Sequence, residues 1–411
     1  MATSTHFLRQ ETLFALSPQC SQAPGDLCNQ QYVDKATLAQ LLDSTYFVIR
    51  GDTLGSAADI LMVWEVRLSL LLFTDQLGAA KREAVALNNA LYLHENPGAA
   101  RPANPALVKP QGPGNGPGPG PASVSVSAPP VYPLPTNNDG AISDSLLSLV
   151  LSLKSGPSMA RVNEIYRLCY QKRLKGDSVR VNGAPNDVPS LAHPNHSNPT
   201  GLQASLMALS YGVIAVLFVS RNYATLDSFL VSLRHDLKAD PSNGAYHSNV
   251  TLMWLLAKIY MRRASGTVDS TEASVWGPLY DENLGEIAVE TWTALTFVTS
   301  KVGAQLGGSV FPIVVSPETV SVAQLADLVA QDRISVRTVC CLLALWSLAA
   351  TNHTNLSQDE FTIIPDQGHH SGDTAAGTSG DSSDNMSGVG YVTRYIRSRW
   401  GDFYNKLYGL E

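Results

Sequence analysis

The stretch VWEVRLSLLLFTDQLGAAKREAVAL (Val63–Leu87) sets a tryptophan at the head of a leucine ladder, breaks at Thr74 to Gly78, and resumes with small and apolar residues. Trp64, Leu68 and Leu71 share one helical face, because side chains three or four apart lie above one another along a helix. Beyond the break Leu77, Ala80, Ala84 and Leu87 line the face of a second helix, and Pro97 closes the pair. The spacing predicts a helical hairpin with these residues in its core. A tetratricopeptide unit of roughly 34 residues has the same frame, with large residues in its first helix and small ones in its second, so that the backbones can approach. The identities are degenerate, since Ala84 stands where an aromatic is usual.

Working outward, the same period recurs. DKATLAQLLDSTYFVIRG offers Asp34 as an N-cap, Leu38, Leu41 and Leu42 on one face, and Gly51 as a stop. In SDSLLSLVLSLKSG, Ser143 opens a helix whose stripe is Leu146, Leu149, Val150 and Leu153, with Gly156 where a left-handed C-cap belongs. SMARVNEIYRLCYQKR follows at once, with Val162, Ile165, Tyr166 and Cys169 in register, and the short link makes an antiparallel pair. A further hairpin turns at Arg221 and Asn222; its second helix carries Tyr223, Leu226, Leu230, Leu233 and Leu237 and ends before Pro241. Leu256, Ala257 and Tyr260 keep closer to the first helix of a tetratricopeptide unit. Only GSVFPIVVSPETVSV reads as extended, and it is too short to carry a sheet.

A single leucine stripe is most often plain core. Recurring pairs joined by short turns, with long insertions between them, are how a solenoid is assembled. The sequence therefore predicts an all-α fold: an α-solenoid of antiparallel helix hairpins, degenerate tetratricopeptide-like repeats, interrupted by long disordered loops. The expected organisation is an N-terminal extension (1–26), N-terminal hairpins (27–97), a Pro/Gly-rich linker (98–136), a hairpin (137–174), a loop (175–200), the main solenoid (201–362), a disordered loop (363–390) and a C-terminal amphipathic helix (391–411). Half of the 24 prolines lie from Pro97 to Pro135, where missing amide donors and abundant glycine oppose ordering.

The totals bound function. The chain has 411 residues, 44% of them hydrophobic, a net charge of −7 and only 28 Lys and Arg. That gives no concentrated basic face for displacing counterions from nucleic acid. The amino terminus lacks a secretory pattern, and the apolar runs Tyr211–Val219 and Val339–Ala350 fall short of the ~20 residues of a membrane span. The expectation is a soluble chain facing the cytosol, in which Asn-x-Ser/Thr matches such as Asn249 stay unglycosylated. Its five cysteines, Cys20, Cys28, Cys169, Cys340 and Cys341, have no metal-ligand spacing and read as reduced thiols packed as small hydrophobes.

A search for chemistry returns no catalytic, cofactor or metal motif. The glycines of GPGNGPGPG cannot cradle phosphates, because prolines remove the donors. His193, His196, His369 and His370 lie in segments expected to be unstructured, and a metal site needs fixed geometry. Asp281, Glu282, Glu286 and Glu290 could pair as acid and base, but acids also gather at the positive end of a helix dipole; His235 and Asp236 read as helix-end residues. In YVTRYIRSRWGDFYNKLYGLE, Val392, Ile396, Trp400, Phe403 and Leu407 line one helical face. This is the candidate partner-docking element, or a helix for a membrane interface, against the plainer alternative of a closing helix packed on the chain's own core.

From Leu27 to Pro97, and above all in LMVWEVRLSLLLFTDQLGAAKREAVAL with its tryptophan, arginine and leucine ladder, the chain resembles the subunit-twelve family of the TRAPP trafficking protein particle. PPVYPLPTNNDGAISDSLLSLVLSLKSGPSMARVNEIYRLCYQK looks like that family's following pair, and Tyr211–Pro241 like a later one. The resemblance implies a non-catalytic, tetratricopeptide-type scaffold subunit of a TRAPP III assembly, which tethers vesicles and acts as exchange factor for Rab GTPases between endoplasmic reticulum and Golgi and in autophagy. It implies no cofactor, other TRAPP subunits as partners, Rab GTPases only indirectly, and a cytoplasmic location peripheral to those membranes. Ser265–Glu411 departs from the family's clearer repeats, consistent with a shortened, fungal-like form. Two alternatives are a helical scaffold of a peroxisomal import or deadenylase assembly, and a helical enzyme with a pocket of converging polar groups.

Overall fold

The computed structural model describes residues 5–27, 29–52, 54–100, 131–137, 140–181, 199–266, 282–305, 321–352 and 400–410. Among them the regular elements are helices, with no strand. They are α1 (Gln30–Lys35), α2 (Leu38–Arg50), α3 (Ala57–Phe73), α4 (Leu77–Glu95), α5 (Asp144–Lys154), α6 (Met159–Val181), α7 (Pro199–Val219), α8 (Tyr223–Lys238), α9 (Gly244–Ser265), α10 (Val289–Gln305), α11 (Val322–Ala330), α12 (Val336–Asn352) and α13 (Trp400–Tyr408). The chain is all-α, and the stretch GSVFPIVVSPETVSV lies outside the described residues except for its last two, which cap and open α11.

Turn chemistry explains why the hairpins form. After α3 the chain reverses at Asp75, whose φ is +59°; the amide of Gln76 donates to Leu71 O (2.8 Å) and that of Asp75 to Leu72 O (3.1 Å). The two bonds satisfy carbonyls left open at a helix end, the Schellman arrangement. The same pair recurs after α7, where Arg221 has φ +57°, and after α11, where Asp332 has φ +58°. Entry is set by N-caps: Ser56 Oγ accepts from Asp59 N at 3.1 Å, and Ser143 Oγ from Leu146 N at 3.1 Å.

Packing follows chain order at first. α2 lies on α3, α3 on α4, and α5 on both α3 and α4; α6 pairs with α7, α7 with α8, and α8 with α9. The later helices then return: α12 lies along α7, and α13 bridges α12 to α3. One continuous apolar core results, in which Trp64, Leu68, Leu71, Ala80, Ala84 and Leu87 are all fully buried.

Several local expectations are corrected. Asp34 lies inside α1, and α2 is opened by Thr37, which forms a reciprocal capping box with Gln40; that box satisfies two amide donors at once, more than a lone aspartate can. Gly156 is not the cap of α5, which ends at Lys154 with Ser155 in an extended conformation. The amino-terminal extension is packed: Leu8 is fully buried, Phe7 stacks on His94 at 4.0 Å, and Phe14 stacks on Trp64 at 4.8 Å. The last residues of the Pro/Gly-rich linker are also anchored. Leu134 is buried, Tyr132 stacks on Tyr92, and Glu95 accepts from the amides of Thr136 and Asn137. The loop expected at 175–200 is shortened at both ends, since α6 runs to Val181 and α7 starts at Pro199.

By length and composition Gly201–Val219 could cross a membrane, whereas the apolar run read from the sequence began only at Tyr211. Its packing against α6, α8 and α12 gives that apolar character a use in the core, where Ile214, Val216, Leu217 and Phe218 are fully buried.

Candidate functional site

The hairpin that opens the sequence is pinned by a charge pair at its centre. Arg67 Nε and Nη2 donate to Glu83 Oε2 and Oε1 at 2.6 and 2.8 Å, with both side chains buried. Arg67 also reaches Leu42 O (3.3 Å) and Leu16 O (3.2 Å), and its guanidinium lies 4.8 Å from the Phe14 ring centre. Glu83 takes a further bond from the amide of Ala15 at 3.0 Å. Beside it Trp64 Nε1 donates to Leu8 O at 3.1 Å. These bonds tie α3 and α4 to α2 and the amino-terminal segment.

Of the candidate docking residues, Val392 and Ile396 lie outside the described residues, and Trp400 begins α13. Phe403 and Leu407 are half-buried against the chain's own core, Phe403 with its ring centre 6.0 Å from that of Phe73, and Tyr408 is buried. Lys406 pairs with Asp75 at the α3–α4 turn. The described part of this helix thus spends its apolar face on α12 and α3, because amphipathic spacing does not distinguish a foreign groove from the chain's own.

An apolar face that is left open lies elsewhere. α6 buries Val162, Ile165 and Leu168 and turns Tyr166, Tyr170 and Leu174 outward, with 42%, 64% and 50% of their surfaces exposed. The three are one turn apart each, so they form a single stripe. Phe229 of α8 extends it, its ring centre 6.0 Å from that of Tyr166. The expected register on this helix is therefore shifted: Tyr166 belongs to the outer face.

A cavity of about 410 Å³ lies between α3, α5, α6, α7, α12 and α13. Its lining includes the partly or fully exposed Glu65, Ser143 and Asp144 and the buried Ser152, Arg161 and Tyr408. Glu65 accepts from Ser143 at 2.9 Å; Asp144 accepts from Lys172 at 2.6 Å and Ser205 at 2.5 Å. Arg161 is 3% exposed. Its Nη2 donates to Ser152 Oγ and, at 3.2 Å, to Tyr408 Oη, while Nε and Nη1 are buried with no partner. Burial pushes the Tyr404 and Tyr408 hydroxyls up, with Arg161 pulling each back, so both stay protonated at neutral pH. No sequence motif marks this site, and Arg161 is one of several arginines on α6.

Of the acidic candidates, Glu286 is bonded into the fold. Glu286 bonds Arg234 (2.9 Å) and Lys238 (2.9 Å), tying the turn before α10 to α8, and His247 approaches it at 3.7 Å. Burial raises the Glu286 pKa, but bonds from Lys238 and Arg234 outweigh that and hold it low. Burial lowers that of His247, against the pull of Glu286. Asp281 and the four tail and loop histidines lie outside the described residues. His235 and Asp236 sit exposed near the end of α8. Cys340 and Cys341 are buried, and burial pushes the Cys341 thiol up to about 12. Among the described residues no group of His, Cys, Asp and Glu could hold a metal ion.

Among the described residues the fold is all-helical, with an exposed aromatic stripe on α6 and a cavity between α3, α5, α6, α7, α12 and α13. No protein-family model, curated protein or solved structure compared with the chain matches it.

Proposed function

We propose that the chain is a non-catalytic helical scaffold subunit whose α6 face holds a helix of a neighbouring protein. The observation that carries this reading is the stripe Tyr166–Tyr170–Leu174. Apolar side chains repeated at one-turn spacing are the ridge that a second helix packs against, and tyrosines give large contact area with few rotamers to freeze. Arg173 is exposed beside the stripe, which favours a partner helix flanked by acidic residues. Consecutive helix pairs that turn at Asp75 and Arg221 support a solenoid of degenerate repeats as the underlying plan, with α12 and α13 folded back over it.

On the resemblance of Leu27–Pro97 to the TRAPP family, the assembly is a TRAPP III-type tether and Rab exchange factor. The chain would then be cytoplasmic, peripheral at endoplasmic reticulum to Golgi membranes, and active in autophagy. Purification of the tagged full chain from its source cells tests both parts. Recovery of other TRAPP subunits with wild type and their loss with Tyr170→Asp is the expected result. Recovery of a peroxisomal import or deadenylase assembly replaces the TRAPP assignment while keeping the scaffold, and retention of all partners by Tyr170→Asp removes the α6 face.

A further inference from the structure

We infer that the groove between α4, α5 and α6 is a receptor for an extended, proline-flanked peptide of a partner protein, and that the chain's own Tyr132–Asn137 fills it as a displaceable stand-in. This segment forms no regular element, and side chains of three helices read its main chain. Asn88 Nδ2 of α4 and Lys154 Nζ of α5 each donate to Tyr132 O at 2.9 Å. Asn88 Nδ2 also reaches Pro133 O at 3.3 Å, and Arg167 Nη2 of α6 donates to Leu134 O at 2.7 Å. Three successive carbonyls are thus taken by donors from three different helices. The segment's amides meet acceptors instead: Asn89 Oδ1 accepts from Tyr132 N at 3.1 Å, and Glu95 from Thr136 N and Asn137 N at 2.6 and 2.7 Å.

This pattern selects a class of ligand. Proline at 133 and at 135 removes the amide at each of those positions while keeping the carbonyl, and a proline-restricted chain has less conformational freedom to lose on binding. The side chains add a short list of requirements. Tyr132 stacks on Tyr92 with ring centres 5.2 Å apart, Leu134 is fully buried, and Thr136 Oγ1 donates to Glu95 at 2.9 Å. The groove therefore suits the order aromatic, proline, aliphatic, proline, hydroxyl. Emptying it would strand donors where water is scarce: Asn88 is fully buried, and the Lys154 side chain is almost wholly enclosed, with Glu164 as its other partner. Buried donors without acceptors are costly, so the groove calls for peptide carbonyls whenever the chain's own segment leaves. Bonds from side chain to main chain are indifferent to which chain supplies the peptide. The seated segment is also an incomplete match, since Asn88 Oδ1 stays buried without a donor. Its leading residue, Val131, is exposed, which gives an incoming peptide an end from which to replace it. This contact is independent of the α6 stripe.

The full chain carrying Tyr132→Ala and Leu134→Asp, which unseat the segment, is titrated with the fluorescein-labelled peptide PPVYPLPTNN and followed by anisotropy, beside wild type. The expected result is saturable binding to the variant and binding at least about tenfold weaker to wild type, whose own segment competes at high effective concentration. Adding Asn88→Leu to the variant should weaken its binding by at least about tenfold, because two carbonyl bonds are lost, and a peptide bearing the Leu134→Asp change should not bind. If the variant fails to fold by far-UV circular dichroism, wild type is irradiated with the peptide carrying benzoylphenylalanine in place of its tyrosine, and the label should fall on α4 beside Tyr92. Wild type should be monomeric by light scattering; a dimer that the peptide dissociates makes a second copy of the chain the occupant and overturns the partner reading. No saturable binding, equal binding of the Leu134→Asp peptide, or labelling away from α4 overturns the groove itself.

Discussion

Replacing Glu83 by alanine tests the pin at the centre of the first hairpin. The carboxylate accepts from Arg67 twice and from the Ala15 amide once, and its removal leaves Arg67 charged in a place where both partners are almost fully enclosed. Arg67 keeps Leu42 O and Leu16 O, so the charge remains solvated in part. The cost of breaking one side of a buried pair is about 3–5 kcal/mol, and at a few degrees per kcal/mol the midpoint falls by roughly 10 °C. The double variant Arg67→Met/Glu83→Leu takes the charge away with its partner and should recover most of that loss, because apolar residues of similar volume replace a buried pair at little net cost. Lys81→Ala, two residues earlier on the exposed face, serves as control and should shift stability by under about 0.5 kcal/mol. Urea titrations followed by far-UV circular dichroism measure all four proteins. A Glu83→Ala loss below about 1 kcal/mol, the size of a surface pair, would refute the reasoning, as would a double variant no better than the single one.

Other perturbations follow from the same geometry. Trp64→Ala, which empties a fully enclosed site and strands Leu8 O, should destabilise by about 3–5 kcal/mol in the same titration. Arg221→Gly should stabilise by about 1 kcal/mol, since a side chain at φ +57° is strained and glycine is not; a loss of stability would mean that the Arg221 side chain contributes more than its backbone costs. The His247 pKa is depressed in the fold, so the unfolded chain binds that proton more readily and stability declines as pH falls below its ordinary 6.5. Glu286 is also depressed, and its contribution is lost further down, as pH falls below its ordinary 4.5 toward the lower folded value. His247→Gln should remove only the upper limb of that profile, read from unfolding midpoints across pH. Cys340 and Cys341 should react with a thiol reagent only on unfolding, since burial raises both thiols and closes access; labelling of either in the native chain at the rate of a free thiol would contradict their placement.

The parts of the fold that the sequence announced are those in which local chemistry alone decides the outcome. Trp64, Leu68 and Leu71, facing Ala80, Ala84 and Leu87, carry enough periodicity to place two helices, and the break at Thr74–Gly78 falls where the chain turns, although the residue that turns it is Asp75 rather than the following glycine. The capping box at Thr37 and Gln40 is equally local, but Asp34, which precedes the first leucine of the stripe, mimics a cap. Phe7, Leu8 and Phe14 gave no signal, because isolated apolar residues in a short irregular segment have no period to read; their burial depends on Trp64 and His94, distant in sequence. Arg67 and Glu83 are a similar case: each looks like a stray charge on a helix until the hairpin brings them within 2.6 Å.

The site was less legible than the fold for a reason that applies to both of its parts. A helix whose apolar residues fall on one face must cover that face, but the sequence does not say with what. The spacing of Phe403 and Leu407 is met by α3 and α12, whereas Tyr166, Tyr170 and Leu174, with the same one-turn spacing, are left facing outward because Val162, Ile165 and Leu168 already occupy the inner side of α6. Only the packing of neighbouring helices separates the two. Arg161 lies on the same helix as the open stripe, one turn before Ile165, and is enclosed by Ser152 of α5 and Tyr408 of α13. An open stack of hairpins would leave that guanidinium in water, where it needs no partner. Folding α13 back sets Tyr408 against the guanidinium and adds Phe403, Tyr404, Leu407 and Tyr408 to the cavity wall.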